Sequence, residues 1–263
     1  MLLMRPRYFS WFVGAMLGLC PASAATAAAA TTATAPATPP NVILILADDL
    51  GYGDVGCYGA NKVRTPHIDR LAREGRRFTD AHSTSAVCTP SRYALLTGEY
   101  PFRRGLNVPV FLKQGLVIDP ERTTLADVMQ RAGYRTACFG KWHQGMSTTA
   151  QADGTLRLTP VDFGFDDYFG FDAPEQGPYA WIENKRFVVA PTETIEENPG
   201  VDVTNPKTQG AHWRKGLAAP GWKFEGYLST LADKTDAWLA KRSASGGQEP
   251  FFLYYAIPGP HAP

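Results

Sequence analysis

The sequence predicts an α/β fold with a mostly parallel sheet and helices on both faces of that sheet. Three apolar runs have the length and composition of buried parallel strands, and polar residues follow each run directly. These runs cover residues 42–47, 134–139 and 251–257. Helical segments separate the runs, and this alternation is typical of α/β sheets.

The predicted helices cover residues 66–74, 90–97, 124–132 and 225–242. A glycine directly follows each of the first three, as it does at many helix ends. Residues 162–171 predict a turn-rich aromatic segment packed into the core. Residues 183–222 are rich in Pro, Gly, Asn and Thr and predict a long surface excursion.

The charge balance excludes two classes of partner. The chain has 263 residues, with 26 Lys plus Arg against 25 Asp plus Glu. This balance gives no extended positive field for a nucleic acid or an anionic membrane. The basic run of Arg73, Arg76 and Arg77 is interpreted as a solvated helix face. We therefore expect no nucleic-acid partner and no stable membrane insertion.

The N-terminal segment predicts export. Arg5 and Arg7 precede an apolar stretch, residues 8–19, that is too short to span a bilayer, and Ala22-Ser23-Ala24 forms a small-residue cleavage site. We expect a secreted or periplasmic protein. The predicted organisation is a signal peptide over 1–24, a disordered Ala/Thr/Pro linker over 25–40 and a folded domain over 41–263.

Removal of the signal peptide leaves three cysteines, an odd number for a protein in an oxidising compartment. Cys57 and Cys138 form one possible disulfide. Alternatively, Cys138 packs as a small apolar residue within its strand. Cys88 is the cysteine that neither arrangement uses.

The residues that follow the three strands predict an active site. Asp48 and Asp49 follow the first strand, Lys141 and His143 the second, and His261 the third. Ligands of α/β sheets bind beyond the carboxyl ends of parallel strands, so these acids, cation and imidazoles meet at one edge. In an extended segment, residues two apart share a face, so Lys141 and His143 both reach one anion.

A second group of candidate residues lies at the start of the helix predicted over 90–97. With Pro90 at the first helical position, the Cys88 thiol faces free backbone N–H groups, a place that suits an anion and activates a nucleophile. Arg92 in the first turn opposes the helix dipole, which indicates an anionic partner such as a sulfate or phosphate oxygen. The alternative is an ordinary buried cysteine and a surface arginine.

The segment Cys88-Thr89-Pro90-Ser91-Arg92, with Thr97-Gly98 at the end of a short helix, resembles the signature of the formylglycine-dependent sulfatases. These are arylsulfatase-like members of the alkaline phosphatase superfamily. Further segments resemble the family in the same order, and several ordered matches are more specific than one motif. They are residues 41–54, 65–71, 140–143, 164–167 and 251–263. The resemblance implies an alkaline phosphatase/sulfatase-like fold from residue 41 onward, apart from the surface excursion.

The resemblance also implies a modified residue and a metal ion. Cys88 is oxidised to formylglycine (3-oxoalanine) by a maturation enzyme. The hydrated aldehyde then supplies one hydroxyl that attacks sulfur and a second that releases sulfate. Asp48 and Asp49, together with the modified Cys88, bind a divalent cation, usually Ca²⁺.

The remaining site residues receive roles by the same resemblance. Lys141 contacts sulfate and the nucleophile, and Arg92 contacts the anion. His143 handles the proton of the formylglycine hydroxyl, and His261 protonates the leaving oxygen. The implied substrate is a sulfate ester, either an aryl sulfate or a sulfated carbohydrate.

The family also places metal ligands and a second lysine after the position of His261. The resemblance therefore implies that 41–263 is the N-terminal portion of the catalytic domain, truncated at its C-terminus, with weak metal binding and little turnover. Three functions stay open at this point. They are a sulfate-ester hydrolase, a phosphate or phosphonate ester hydrolase on the same fold, and a truncated, non-catalytic protein that binds sulfated ligands.

Overall fold

The computed structural model describes residues 39–110, 115–199, 212–244, 246 and 249–261. The signal peptide predicted over 1–24 lies outside the described residues. So does the linker predicted over 25–40, except for Pro39 and Pro40, which are exposed. Among the described helices, none combines the length and apolar composition needed to cross a bilayer.

The main sheet has six strands in the order β1-β8-β2-β3-β4-β5. The first four strands in that order are parallel to one another, and β4 and β5 continue the sheet as an antiparallel hairpin. Their bounds are β1 Val42–Asp48, β2 Arg135–Lys141, β3 Asp167–Phe171, β4 Ile182–Glu183, β5 Arg186–Phe187 and β8 Phe251–Pro260. A second, two-stranded sheet pairs β6 (Glu193–Ile195) with β7 (Gly216–Ala218).

Helices cover both faces of the main sheet, as the sequence predicts. The four helices are α1 Pro66–Glu74, α2 Cys88–Thr97, α3 Leu125–Arg131 and α4 Tyr227–Ala244. Leu96 of α2 and Ala126 of α3 share one buried cluster with Cys138 and Tyr254 of the sheet. Leu231 of α4 belongs to the cluster on the opposite face, with alternate strand residues such as Phe139 and Leu253.

The strand β1 is buried on one face, which corrects the prediction of a strand buried on both. Leu44 and Leu46 pack against the core cluster, whereas the alternate residues Ile43 and Ile45 are 50% and 55% exposed. Because β1 is the last described strand on its side of the sheet, it has a neighbour on one side only. The helix α1 does not cover it, since α1 has no buried residue.

The predicted start of α2 is also corrected. The helix begins at Cys88 with Val87 as N-cap, so Pro90 lies inside the first turn and Arg92 beyond it. Proline is tolerated there because the first N–H groups of a helix have no acceptor within the helix. The thiol-bearing residue is therefore itself helical.

Two expectations for the middle of the chain are confirmed only in part. Residues 162–171 do reach the core, with Phe163 and Phe165 almost fully buried, but they also contain the strand β3. Residues 183–222 supply the short strands β5, β6 and β7 rather than only loops. These elements are too short for a period to be visible in the sequence.

Close backbone contacts fix the centre of the sheet near its carboxyl edge. Gly140 pairs with Ala256 on one side and with Gly170 on the other. Its φ of 114° lies in the region that favours glycine, and a Cβ there would overlap the carbonyl oxygen of Ala256. Only a glycine at this position lets β8, β2 and β3 keep their register next to Lys141.

We therefore expect Gly140→Ala to lower the free energy of unfolding by about 3 kcal/mol, through backbone strain and overlap. The matched control is Gly53→Ala, since a Cβ at Gly53 meets no atom within 4 Å and its φ is not positive. Urea unfolding measures both variants. Equal stabilities for the two variants would contradict this account of the sheet.

Candidate active site

The candidate residues meet at the carboxyl edge of the sheet. Asp48 is the last residue of β1, Lys141 the last of β2, and Cys88 the first of α2. A cavity of about 340 Å³ opens beside Asp48 and Cys88. Its lining includes Asp48, Asp49, Ser83, Cys88, Ser91 and Arg92. Two segments that are far apart in sequence, after β1 and at the start of α2, thus form one pocket.

Cys88 is a free, half-buried thiol that lines this cavity. Burial raises the pKa of the thiol, and the nearby Lys141 charge lowers it in part. Cys57 and Cys138 are free as well, so the possible disulfide between them is not formed, and Cys138 packs in the core cluster. An unmodified Cys88 is thus a weak nucleophile at neutral pH, because the thiolate is the reactive form.

Asp48 is the centre of a buried ion network. Its Oδ2 accepts a hydrogen bond from Lys141 Nζ at 2.7 Å, and its Oδ1 lies 3.1 Å from Arg92 Nη2. Burial alone would raise the pKa of Asp48, but the charges of Arg92 and Lys141 outweigh burial and hold the pKa below its usual value. Asp48 is therefore ionised throughout the physiological range.

Arg92 is fully buried, which excludes the alternative of a surface arginine. Its Nη1 donates to the backbone carbonyl of Lys141 at 2.8 Å, so α2 is tied to the end of β2. Its Nε has no hydrogen-bond partner among the described residues. A buried guanidinium with an unsatisfied N–H is ready to bind one more acceptor.

His143 is buried and held in one orientation. Its Nε2 lies 3.0 Å from the carbonyl oxygen of Val110, which can only accept, so Nε2 carries the proton. Burial, followed by the charge of Lys141, lowers the pKa of His143 to about 3. The ring is therefore neutral, and Nδ1 offers a lone pair that has no partner among the described residues.

The expected extended geometry at His143 is wrong. The strand β2 ends at Lys141, and His143 has a φ of 52°, in the left-handed region. The amides of Trp142 and His143 bond to the carbonyls of Phe171 and Asp172, which turns the chain along β3. The charge of Lys141 still acts on His143. The two side chains are close because the chain turns after β2, and they do not share a strand face.

His261 lies beside the paired acids at the mouth of the site. Its amide donates to the carbonyl of Asp48 at 3.0 Å, and its Nε2 lies 3.6 Å from Asp49 Oδ2. The pairing of β1 with β8 shifts register after Ala47, so Asp48 faces Pro260. This shift sets the imidazole against Asp49, whose side chain is 58% exposed.

Two buried acids belong to the site although sequence reasoning missed them. Asp172 and Glu175 follow β3 at the same edge of the sheet, and Glu175 Oε2 lies 3.9 Å from Lys141 Nζ. Burial above all raises the pKa of Asp172 to about 6. The signal that would have found them is β3 itself, because residues after each parallel strand are candidates.

The described residues do not fit the calcium site that the resemblance implies. Within the described part of the chain, no three His, Cys, Asp or Glu side chains form a group able to hold a metal ion. Both oxygens of Asp48 already face cations, and Asp49 is the one other carboxylate lining the cavity. Calcium usually takes six to eight oxygen ligands, far more than these two acids offer.

Comparison with known proteins gives a consistent result. The family described as Sulfatase matches residues 40–263. An N-acetylgalactosamine-6-O-sulfatase of Bacteroides thetaiotaomicron is 37% identical over 253 residues, covering 85% of this chain and 48% of that protein. Human arylsulfatase A is 35% identical over 243 residues, covering 86% of this chain and 42% of that protein.

Solved structures agree with these sequence matches. A protein solved in work on glycosaminoglycan metabolism by Bacteroides thetaiotaomicron has a TM-score of 0.72 and 33% identity, covering 86% of this chain and 52% of that one. The structure of Ps i-CgsB in complex with k-i-k-neocarrahexaose has a TM-score of 0.61 and 26% identity, covering 85% and 46%. The chain thus spans about half the length of the relatives it matches. Because the family match runs through all of the folded part, the chain belongs to the sulfatase family.

Proposed function

We propose that the protein hydrolyses sulfate monoesters with a formylglycine made from Cys88 as nucleophile. The observation that carries this proposal is the position of Cys88, which lines the same cavity as Asp48 and Arg92. Asp48 pairs there with Arg92 and with the buried Lys141. The half-buried, free side chain at the start of α2 fits a formylglycine. As a hydrate, that group would supply a hydroxyl that attacks sulfur and a second hydroxyl that allows sulfate to leave.

The cations of the network bind the sulfate group in this proposal. The Nη2 of Arg92 and the ammonium of Lys141 both lie beside Asp48, and the Nε of Arg92 has no hydrogen-bond partner among the described residues. Sulfate oxygens accept hydrogen bonds from both, and such charge-assisted bonds are strong in a buried site. The N–H groups at the start of α2 add further donors on the side of Cys88.

The two histidines have different roles. The neutral His143 offers its Nδ1 lone pair as a hydrogen-bond acceptor for a hydroxyl of the nucleophile. His261 sits beside the exposed Asp49, where the leaving alcohol departs toward solvent. An imidazole next to a carboxylate suits the donor of a proton to that alcohol.

The resemblance adds Ca²⁺ at Asp48, Asp49 and the modified Cys88. Since the described donors fall short of a calcium shell, no step here depends on the metal ion. If an ion does bind at Asp48, it has to compete with Lys141 and Arg92 for the same two oxygens.

For the substrate, we propose a sulfated carbohydrate or an aryl sulfate. A relative over most of this chain is named for sulfate on N-acetylgalactosamine, and a structural neighbour holds a carrageenan-type hexaose. The proposed partners are that sulfate ester and a formylglycine-generating maturation enzyme. The predicted signal peptide supports a secreted or periplasmic location for the protein.

Modification of Cys88 is the first prediction that follows from this proposed function. In protein exported from cells that make the maturation enzyme, we expect the peptide containing Cys88 to lose sulfur and gain oxygen. Mass spectrometry of that peptide measures the change. The peptide containing Cys57, a second free and partly exposed thiol, is the internal control and should stay unmodified. An intact thiol at Cys88 would remove the proposed nucleophile.

The type of ester is the second prediction. In a protein that also carries the metal ligands and second lysine that the resemblance places after His261, we expect turnover of a sulfate ester to exceed that of the matching phosphate and phosphonate esters. In the same protein, Lys141→Met should lower kcat/KM about 100-fold or more through lost stabilisation of the transition state. Lys234→Met is the control, because Lys234 forms an exposed ion pair with Glu183. Preference for the phosphonate would favour the second hydrolase function, and binding without any turnover the non-catalytic one.

The pH dependence of stability is the third prediction. The folded pKa of His143, about 3, lies below the value of about 6.5 in an unfolded chain. The contribution of neutral His143 to the free energy of unfolding is therefore complete above pH 6.5. It is lost as pH falls toward 3, by up to about 1.4 kcal/mol per pH unit. Asp172 acts in the opposite sense, because folding raises its pKa to about 6.

Urea unfolding between pH 4.5 and 7.5 measures this effect, with His143→Gln as the comparison. The unfolding free energy of the unchanged protein should fall more steeply toward low pH than that of the variant. Parallel curves would show that His143 is not held neutral by folding.

A further inference from the structure

Glu175 is a buried acid that the proposed reaction does not use. It lies after β3, is 7% exposed, and its Oε2 has no hydrogen-bond partner among the described residues. Its backbone carbonyl accepts hydrogen bonds from the Arg214 amide at 3.0 Å and the Tyr179 hydroxyl at 3.2 Å. The backbone is thus fixed while one carboxylate oxygen stays available to a donor.

The available oxygen of Glu175 faces Lys141. The ammonium nitrogen lies 3.9 Å from Glu175 Oε2 and 2.7 Å from Asp48 Oδ2. An ammonium has three protons to donate, and within the described structure it makes one hydrogen bond, to Asp48. Lys141 therefore has donors left for a second carboxylate.

Glu175 balances the excess positive charge that is buried around Asp48. Arg92 and Lys141 are both fully buried, and both pair with the single carboxylate of Asp48. Two cations with one anion leave a net charge, which is strongly unfavourable away from water. Of the two buried acids after β3, Glu175 is the one within ion-pair distance of Lys141.

We propose that Glu175 is a positioning residue that holds the buried Lys141 ammonium at the end of β2 when Asp48 binds another partner. Asp48 and Glu175 reach the same ammonium from β1 and from the segment after β3, so the lysine moves between two carboxylates without leaving the site. The inference rests on the proposed role of Lys141 in sulfate binding. Its test measures no turnover, so the positioning role of Glu175 and the role of Lys141 in sulfate binding can each fail without the other.

The test follows the Lys141 ammonium by NMR in protein labelled with ¹⁵N-lysine, where buried ammonium protons exchange slowly with water. The forms compared are the unchanged protein, Glu175→Gln, Asp48→Asn and the double variant. We expect Asp48→Asn to keep the ammonium signal, because Glu175 becomes its acceptor. Adding Glu175→Gln in that background should speed proton exchange about tenfold, the size of one charge-assisted hydrogen bond.

The matched control is Glu183→Gln, since Glu183 lies 3.8 Å from Lys234 in an exposed ion pair of the same type. This control should leave the Lys141 signal unchanged, and Glu175→Asp should restore slow exchange. If Asp48→Asn does not fold, the Nζ chemical shift in Glu175→Gln alone decides and should move. A Lys141 ammonium with the same shift and exchange in every Glu175 variant would overturn the proposal.

Discussion

The structure of the site depends on one carboxylate, that of Asp48. It pairs at once with the ammonium of Lys141 and the guanidinium of Arg92, and so joins the ends of β1 and β2 to α2. These contacts are buried, where each charge is stable only while its partner is present. Removal of one member of such a buried pair typically costs about 3–5 kcal/mol. The elements that carry the reactive residues are therefore held together by the site itself.

The same interaction explains why Cys88 is well placed. Arg92 lies on α2 one turn after Cys88, and its bond to the Lys141 carbonyl fixes the helix against the sheet. The rotation of α2 is thereby set, and with it the direction of Cys88 toward the cavity. The Nε of this arginine has no hydrogen-bond partner among the described residues and remains for a ligand. The side chain of Arg92 therefore both holds α2 in place and can bind a ligand.

Sequence reasoning found the parts of the site that follow long, periodic elements. Asp48, Lys141 and His261 were predictable because the strands before them, of six or more mainly apolar residues, are long enough to be recognised in the sequence. Glu175 and Asp172 were not, because β3 has only five residues, one of them the glycine that Gly140 faces across the sheet. The left-handed backbone of His143 could not be predicted either, since the sequence pattern around it does not distinguish a left-handed residue from an extended one.

Two residues of the site share that unusual backbone. Asp49 has a φ of 61° and His143 a φ of 52°, and each lies just beyond the end of a parallel strand. Non-glycine residues seldom adopt this conformation, and it persists where the surroundings over-determine it. Here the surroundings include the ion pair between Asp48, which precedes Asp49, and Lys141, which lies two residues before His143. The buried ion pair keeps both strand ends close, and the chain turns sharply after each, so that Asp49 lines the cavity and the buried His143 bonds to the carbonyl of Val110.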